Sequence, residues 1–299
     1  KVALLLQLLD AVRSHPFLKD KLVLKGGTAL NLFIFAVPRL SVDIDLNYVG
    51  AADRETMIEE RPKVELALQA VFSREGYTVR RVPTEHAGGK WQLRYPSASG
   101  QGGNLEVDVN FMFRIPLWPV QRLNSRPVGI WQAAGIPMVD VHELAAGKLS
   151  ALLSRRQARD LFDCSNLFRL GGLDRERLRL AFVVYGAMSR TDWRTIALKD
   201  VDVDTADLEQ KLIPTLRSAG SEYIRKDQFG KGLVEDCRNL LASLLPFTAP
   251  EQEFLDRILD MGEIAPELLT GDEALQNRIR RHPLLEWKAV NVRSHKKGS

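Results

Sequence analysis

Apolar residues recur along the chain with two periods, and the change between them divides it. The opening segment VALLLQLLDAVRSH is densely apolar but broken by Gln7, Asp10 and Arg13, which predicts an amphipathic helix lying on a core. Leu22 to Leu24 is a short apolar strand, followed by Lys25-Gly26-Gly27 and a short helix that Pro38 ends. Val42 to Val49 then alternates, with Val42, Ile44 and Leu46 on one face and Asp43, Asp45 and Asn47 on the other. A helix is predicted from about Arg54 to Arg74, with Pro62 as the first residue of a second segment. Its Val64, Leu66, Leu68, Val71 and Phe72 are expected to face the sheet, and Gly76 ends it. Strand-like runs follow at Tyr77 to Val82, Lys90 to Tyr95 and Asn104 to Phe113, the last two joined as a hairpin by SASGQGG. Pro116 to Pro137 is punctuated by prolines and by Trp118 and Trp131, and reads as an edge strand with connecting loops.

Beyond Met138 the period changes from 2 to 3.6. Val141, Leu144, Ala145, Leu149, Leu152 and Leu153 stand at helical spacing. Further helices are predicted at Arg175 to Met188, Thr205 to Arg217, Leu233 to Leu245 and Glu251 to Leu259, with helical pieces to Trp287 and a disordered basic tail, VRSHKKGS. The fold class is therefore α+β: residues 1–138 form a sheet with helices, and residues 139–299 an all-helical domain.

The chemistry concentrates between Leu22 and Val49. Residues two apart on a strand share a face, so Asp43 and Asp45 point the same way. Their repulsion is relieved by a cation, and paired hard oxygens suit Mg²⁺, with Mn²⁺ as the alternative. Gly26 and Gly27 let backbone amides approach a phosphate, with N–H groups at the helix start. Either half alone is ordinary, the glycines as a tight turn and the acids as a solvated edge. Together they are the equipment of phosphoryl or nucleotidyl transfer. In LEVDVNFMF, Glu106, Asp108 and Asn110 again share a face, which by itself reads equally as the solvated side of a strand.

GGTALNL followed by Arg39-x-Ser41-x-Asp43-x-Asp45 resembles the AbiEii/AbiGii-type nucleotidyltransferase toxins, within the DNA polymerase β-like superfamily. Thr28 stands where the general pattern has Ser. The resemblance returns in HELAAGK and SRRQARDLFD, where Lys148, Asp160 and Asp163 fall on the family's K-x(n)-R-D-L-x-D-L pattern, with Cys164 in place of its last Leu. It implies a polymerase β-like fold with a mixed sheet in residues 1–138, with residues 139–299 completing an active-site cleft. Asp43 and Asp45 are implied as catalytic metal ligands, with Asp108 as the candidate third carboxylate from a neighbouring strand and Glu106 behind it. Lys148 is implied to neutralise triphosphate oxygens, and Asp160 to orient Lys148 or act as a base. Lys25, Gly26, Gly27, Thr28, Arg39 and Ser41 are the nucleotide-binding candidates, and some family members are silenced by phosphorylation of a serine in the place of Ser41. The implied activity is transfer of NMP from an NTP, with loss of pyrophosphate, to the 3′ end of a tRNA. Such a protein is a growth-inhibiting toxin with a cognate antitoxin. The alternatives are a transferase acting on a protein hydroxyl or a small molecule, and a non-catalytic module that senses NTP or binds a partner.

Composition narrows this little. A net charge of +4 permits RNA contact through Arg155-Arg156, Arg278 to His282 and the tail without requiring it. Two cysteines, Cys164 and Cys237, fit a reducing cytoplasm and no disulfide framework. The five histidines (His15, His86, His142, His282, His295) lack zinc-ligand spacing. No apolar run approaches the roughly 20 residues of a membrane span, and the first helix lacks a signal-peptide cleavage site. The chain opens on Lys1 rather than Met, so a few native residues are expected to precede it.

Overall fold

The acids of the Asp43–Asp45 strand are held in the middle of a seven-stranded sheet in the computed structural model, which describes residues 1–82, 88–96, 102–217 and 226–297. The chain folds as two compact units, Lys1–Asp140 and Val141–Ser299. In the first, the strands are β1 (Leu22–Lys25), β2 (Asp43–Tyr48), β3 (Thr78–Arg81), β4 (Gly88–Tyr95), β5 (Gly103–Asn110), β6 (Gln121–Leu123) and β7 (Ile136–Met138). Their order is β3-β4-β5-β2-β1-β7-β6. The β2–β5 and β1–β7 pairs are parallel and the others antiparallel, so the sheet is mixed, as the resemblance implied. The region Pro116 to Pro137 yields two strands rather than one, with β6 at the edge. The expected SASGQGG turn falls largely on residues 97–101, and His86 on 83–87, outside the described residues.

Alternation decides the two faces. Ile44, Leu46 and Tyr48 of β2, Leu105, Val107 and Val109 of β5, and Trp91 and Leu93 of β4 are buried. Against this side pack α1 (Val2–Ser14) and α3 (Arg54–Arg74), with Phe72 of α3 meeting Trp91 edge-on at 6.2 Å. Between β1 and β2 runs α2 (Gly26–Ala29), which continues as a π-helical turn, Leu30–Ile34. Lys21, Tyr48 and Glu60 tie the end of β2 to α3: Glu60 accepts from Lys21 Nζ at 2.7 Å and from the Tyr48 hydroxyl at 2.5 Å.

Two expectations for α3 need correction. Pro62 lies inside one continuous helix rather than starting a second. Its missing N–H leaves the Ile58 carbonyl without its helical donor, and Ile58 is on the exposed side where water can serve. Leu66 does not face the sheet but is 66% exposed, because the buried stripe is Met57, Val64, Leu68, Val71 and Phe72.

Among the described residues the named elements of the second unit are all helical. It comprises α4 (Val141–Arg155), α5 (Ala158–Leu170), α6 (Arg175–Ala187), α7 (Thr205–Asp207), α8 (Lys226–Ala242), α9 (Ala249–Asp256), α10 (Glu273–Arg280) and α11 (Pro283–Lys297). Helix α4 packs on α6 and α5, and α5 on α8. Arg156, at φ +53°, breaks the long 3.6-period run into α4 and α5. The basic tail was expected to be disordered; α11 instead continues through it to Lys297. Among the described residues no helix is long and apolar enough to cross a membrane.

The two sides of β2 and α3 separate energetically. Ile44→Ala is expected to cost about 2–4 kcal/mol of unfolding free energy through lost burial and a residual cavity. Leu66→Ala should cost less than about 0.5 kcal/mol. Urea denaturation of both variants measures the difference.

Candidate active site

Strand register assembles the acids. Asp45 of β2 pairs with Asp108 of β5, and Asp43 with Glu106, so all four stand on one face in two adjacent rows. The row through Asp45 is bounded by lysines: Lys25 of β1 pairs with Asp45, and Lys90 of β4 with Asp108. Lys90 Nζ donates to Glu106 at 3.2 Å, and the two side chains are 56% and 37% exposed, so this pair is well screened. Lys25 sits differently. Its Nζ lies 5.0 Å from the centroid of the Phe113 ring. Burial pulls its ammonium below the usual lysine range, while Asp45 and then Asp108 draw it back up.

The turn after β1 is shaped to leave Asp45 accessible. Gly26 has φ +76°, and a Cβ there would stand 2.3 Å from Asp45 Oδ2. A side chain would therefore be strained and would press on the carboxylate. Thr28 is fully buried; its hydroxyl donates to the Asp43 carbonyl at 2.5 Å and lies 3.0 Å from Ser41 Oγ. Thr28 thus fastens α2 to the start of β2, and Ser41 is itself 9% exposed. Asn31 Nδ2 donates to Gly27 O at 2.9 Å, bracing the same turn. Arg39 is buried, with Nη1 donating to the Leu40 carbonyl at 3.1 Å.

These residues fit a divalent cation of the hard class. Mg²⁺ is commonly held by one or two carboxylates together with substrate phosphates rather than by an all-protein cage. Among the described residues no group of three or more His, Cys, Asp or Glu is arranged to hold a metal ion. Beside the acids, a cavity of about 360 Å³ is lined by Arg81, Gly88, Lys90, Asp108 and Asn110.

The second unit carries a separate ion cluster. Lys148 of α4 donates from Nζ to Asp160 Oδ1 at 3.0 Å and pairs with Asp163 Oδ2 at 2.8 Å, both acids on the first turns of α5. Arg155 forks onto Asp160 through Nε at 2.6 Å and Nη2 at 3.1 Å. Burial pushes the Asp160 carboxyl up, but Lys148 and Arg155 outweigh it and hold the group below its ordinary value. Lys148, Asp160 and Asp163 are thus brought together. Arg155, read from the sequence as an RNA-facing charge, is a member of their cluster. Its spacing five residues before Asp160, across the helix break, was the available signal. Lys90 was also missed, although the alternation of Lys90, Gln92 and Arg94 along β4 marks that face as polar. A larger cavity in this unit, about 640 Å³ and lined by Thr205, Lys231, Glu235 and Arg238 among others, contains none of the candidate residues.

Comparison with known proteins identifies the family and a similar fold. The family model described as nucleotidyl transferase AbiEii toxin, type IV TA system, matches residues 7–260. Among solved structures the chain is similar to MenT4, a nucleotidyltransferase toxin from Mycobacterium tuberculosis H37Rv. The identity is 18% and the TM-score 0.57, over 97% of this chain and 92% of that one. No curated protein matches.

Two outcomes follow from the geometry. Gly26→Ala is expected to displace the Asp45 carboxylate and weaken Mn²⁺ binding at least about tenfold, read by titration calorimetry. Asp160 has a depressed carboxyl, so its stabilising contribution is complete above the unfolded carboxylate value near 4 and is lost as pH falls through the lower folded value. Asp160→Asn should therefore cost about 1–3 kcal/mol at pH 7, and the gap to the parent should narrow on acidification, as thermal melts across pH 2–7 will show.

Proposed function

The chain belongs to the AbiEii family of nucleotidyltransferase toxins, and from that membership we propose that it transfers NMP from an NTP to the 3′ end of a tRNA. The observation that carries this reading is the β2–β5 register, which sets Asp108 beside Asp45 and leaves Asp43 one strand repeat away on the same face.

Asp43 and Asp45 are the residues to hold Mg²⁺, which when bound supplies charge neutralisation at the triphosphate. The Gly26-Gly27-Thr28 turn presents its backbone to the phosphates, with Arg39 and Ser41 beside it. The acceptor hydroxyl oxygen attacks the α-phosphorus, a P–O bond forms, the bond to the bridging oxygen breaks, and pyrophosphate leaves. Asp108 is assigned to take the hydroxyl proton, since it stands next to Asp45 on the neighbouring strand. On the family pattern, Lys148 serves the charge of the triphosphate, and Asp160 with Asp163 holds its ammonium in place. The type IV toxin–antitoxin description supports a cognate antitoxin as partner, and a cytoplasmic setting belongs to the same reading. Should Ser41 be phosphorylated, the added charge would stand close to Asp43 and repel both cation and nucleotide. Its hydroxyl contact with Thr28 must first open.

The test is incubation of the protein with Mg²⁺, total tRNA and each of four α-labelled NTPs. Label is expected in tRNA with a preferred NTP, and Asp43→Ala or Asp45→Ala should lower incorporation by at least about a thousandfold. Label on protein instead would transfer the acceptor assignment to a protein hydroxyl. Absence of label anywhere, with NTP still bound, would remove the catalytic reading.

A further inference from the structure

The sheet face raises an electrostatic problem that the catalytic reading does not answer. Asp43, Asp45 and Asp108 occupy adjacent positions on two neighbouring strands. Strands lie about 4.8 Å apart, and like charges at such spacing resist folding unless positive charge is close. When no divalent ion is bound, that charge must come from the protein.

Two lysines border the row, and they are not equivalent. Lys90 is more than half exposed and spends its ammonium on Glu106. Lys25 is paired in register with Asp45, stands in the same row as Asp108, and is seated against the Phe113 ring. Gly26 follows immediately, so the backbone carrying Lys25 turns against the Asp45 carboxylate itself. The sequence made Lys25 a candidate phosphate contact; its register also sets it beside Asp45.

We propose that Lys25 is a resident counter-cation of Asp45 and Asp108, competing with the divalent ion for the same carboxylates and so setting that ion's affinity. The inference rests on the assignment of Asp45 as a metal ligand. In this arrangement the protein folds without metal because the ammonium partly neutralises the face. Metal entry shares or displaces that ammonium. The ion is held less tightly than bare carboxylates would hold it, and an incoming nucleotide, which brings its own phosphate oxygens, tips the balance toward the loaded state.

Lys25→Met keeps the length of the side chain and removes its charge; Lys25→Arg keeps the charge. Mn²⁺ is titrated into each nucleotide-free protein, with the free ion read by electron paramagnetic resonance, and thermal melts are recorded in EDTA and in Mn²⁺. Lys25→Met is expected to bind Mn²⁺ about tenfold more tightly than the parent or better. It should melt lower in EDTA and recover in Mn²⁺, while Lys25→Arg follows the parent. Unchanged or weaker Mn²⁺ binding by Lys25→Met overturns the proposal. So does a Lys25→Met protein that fails to fold and is not restored by Mn²⁺, because the divalent ion should replace the missing charge. Asp45→Asn separates the two levels of inference. If it binds Mn²⁺ like the parent, the metal assignment itself falls. If it loses binding while Lys25→Met is unchanged, only the counter-cation role falls.

Discussion

The first unit depends on holding carboxylates side by side at the centre of a sheet, where they repel. What enforces the arrangement is the opposite face. Ile44 and Leu46 alternate with Asp43 and Asp45, and Val107 and Val109 with Glu106 and Asp108. A slip of one residue on either strand would turn acids into the apolar layer under α3 and bring valines and isoleucine out. Hydrophobic burial thus fixes a register that electrostatics alone opposes, and the Lys21–Glu60–Tyr48 contacts lock the end of β2 to the helix that covers it.

The helical unit treats its acids in the opposite way. Asp160 and Asp163 are almost completely buried, and each is met by the Lys148 ammonium, with Arg155 added on Asp160. Such a cluster is close to internally neutral and contributes fixed orientation more than stability, since desolvation offsets much of its Coulomb gain. The sheet acids instead share their face with Lys25 and Lys90, which are paired in register with Asp45 and Asp108.

Much of this was legible in the chain. Alternation through Val42 to Val49 and through LEVDVNFMF placed both acid faces, because period 2 is unambiguous where one side is buried. The change of period near Met138 marked where strands give way to helices. What local pattern could not carry was pairing: nothing in the sequence states that Asp45 lies beside Asp108, or that Lys25 adjoins them, since register comes from contacts distant along the chain. The same limit hid the role of Arg155, which looked like a solvated charge run until the turn at Arg156 folded it back onto Asp160. Pro62 and Leu66 in α3 were misread for a local reason. A proline is tolerated when the carbonyl it deprives faces water, and the buried stripe of a helix admits only one phase.

The parallel pairing of β2 with β5 has a consequence in time. A parallel pair cannot be closed by a tight turn, and here α3, β3 and β4 all intervene between the two strands. While the polypeptide is being synthesised, Asp43 and Asp45 are therefore complete long before their neighbour Asp108 has been made. Non-local pairings of this kind also close late, after the loop entropy between them has been overcome. A nascent or truncated chain that ends before β5 carries the glycine turn and the first two acids but lacks the third. The architecture thus withholds the full acid row from an unfinished chain until most of the first unit exists.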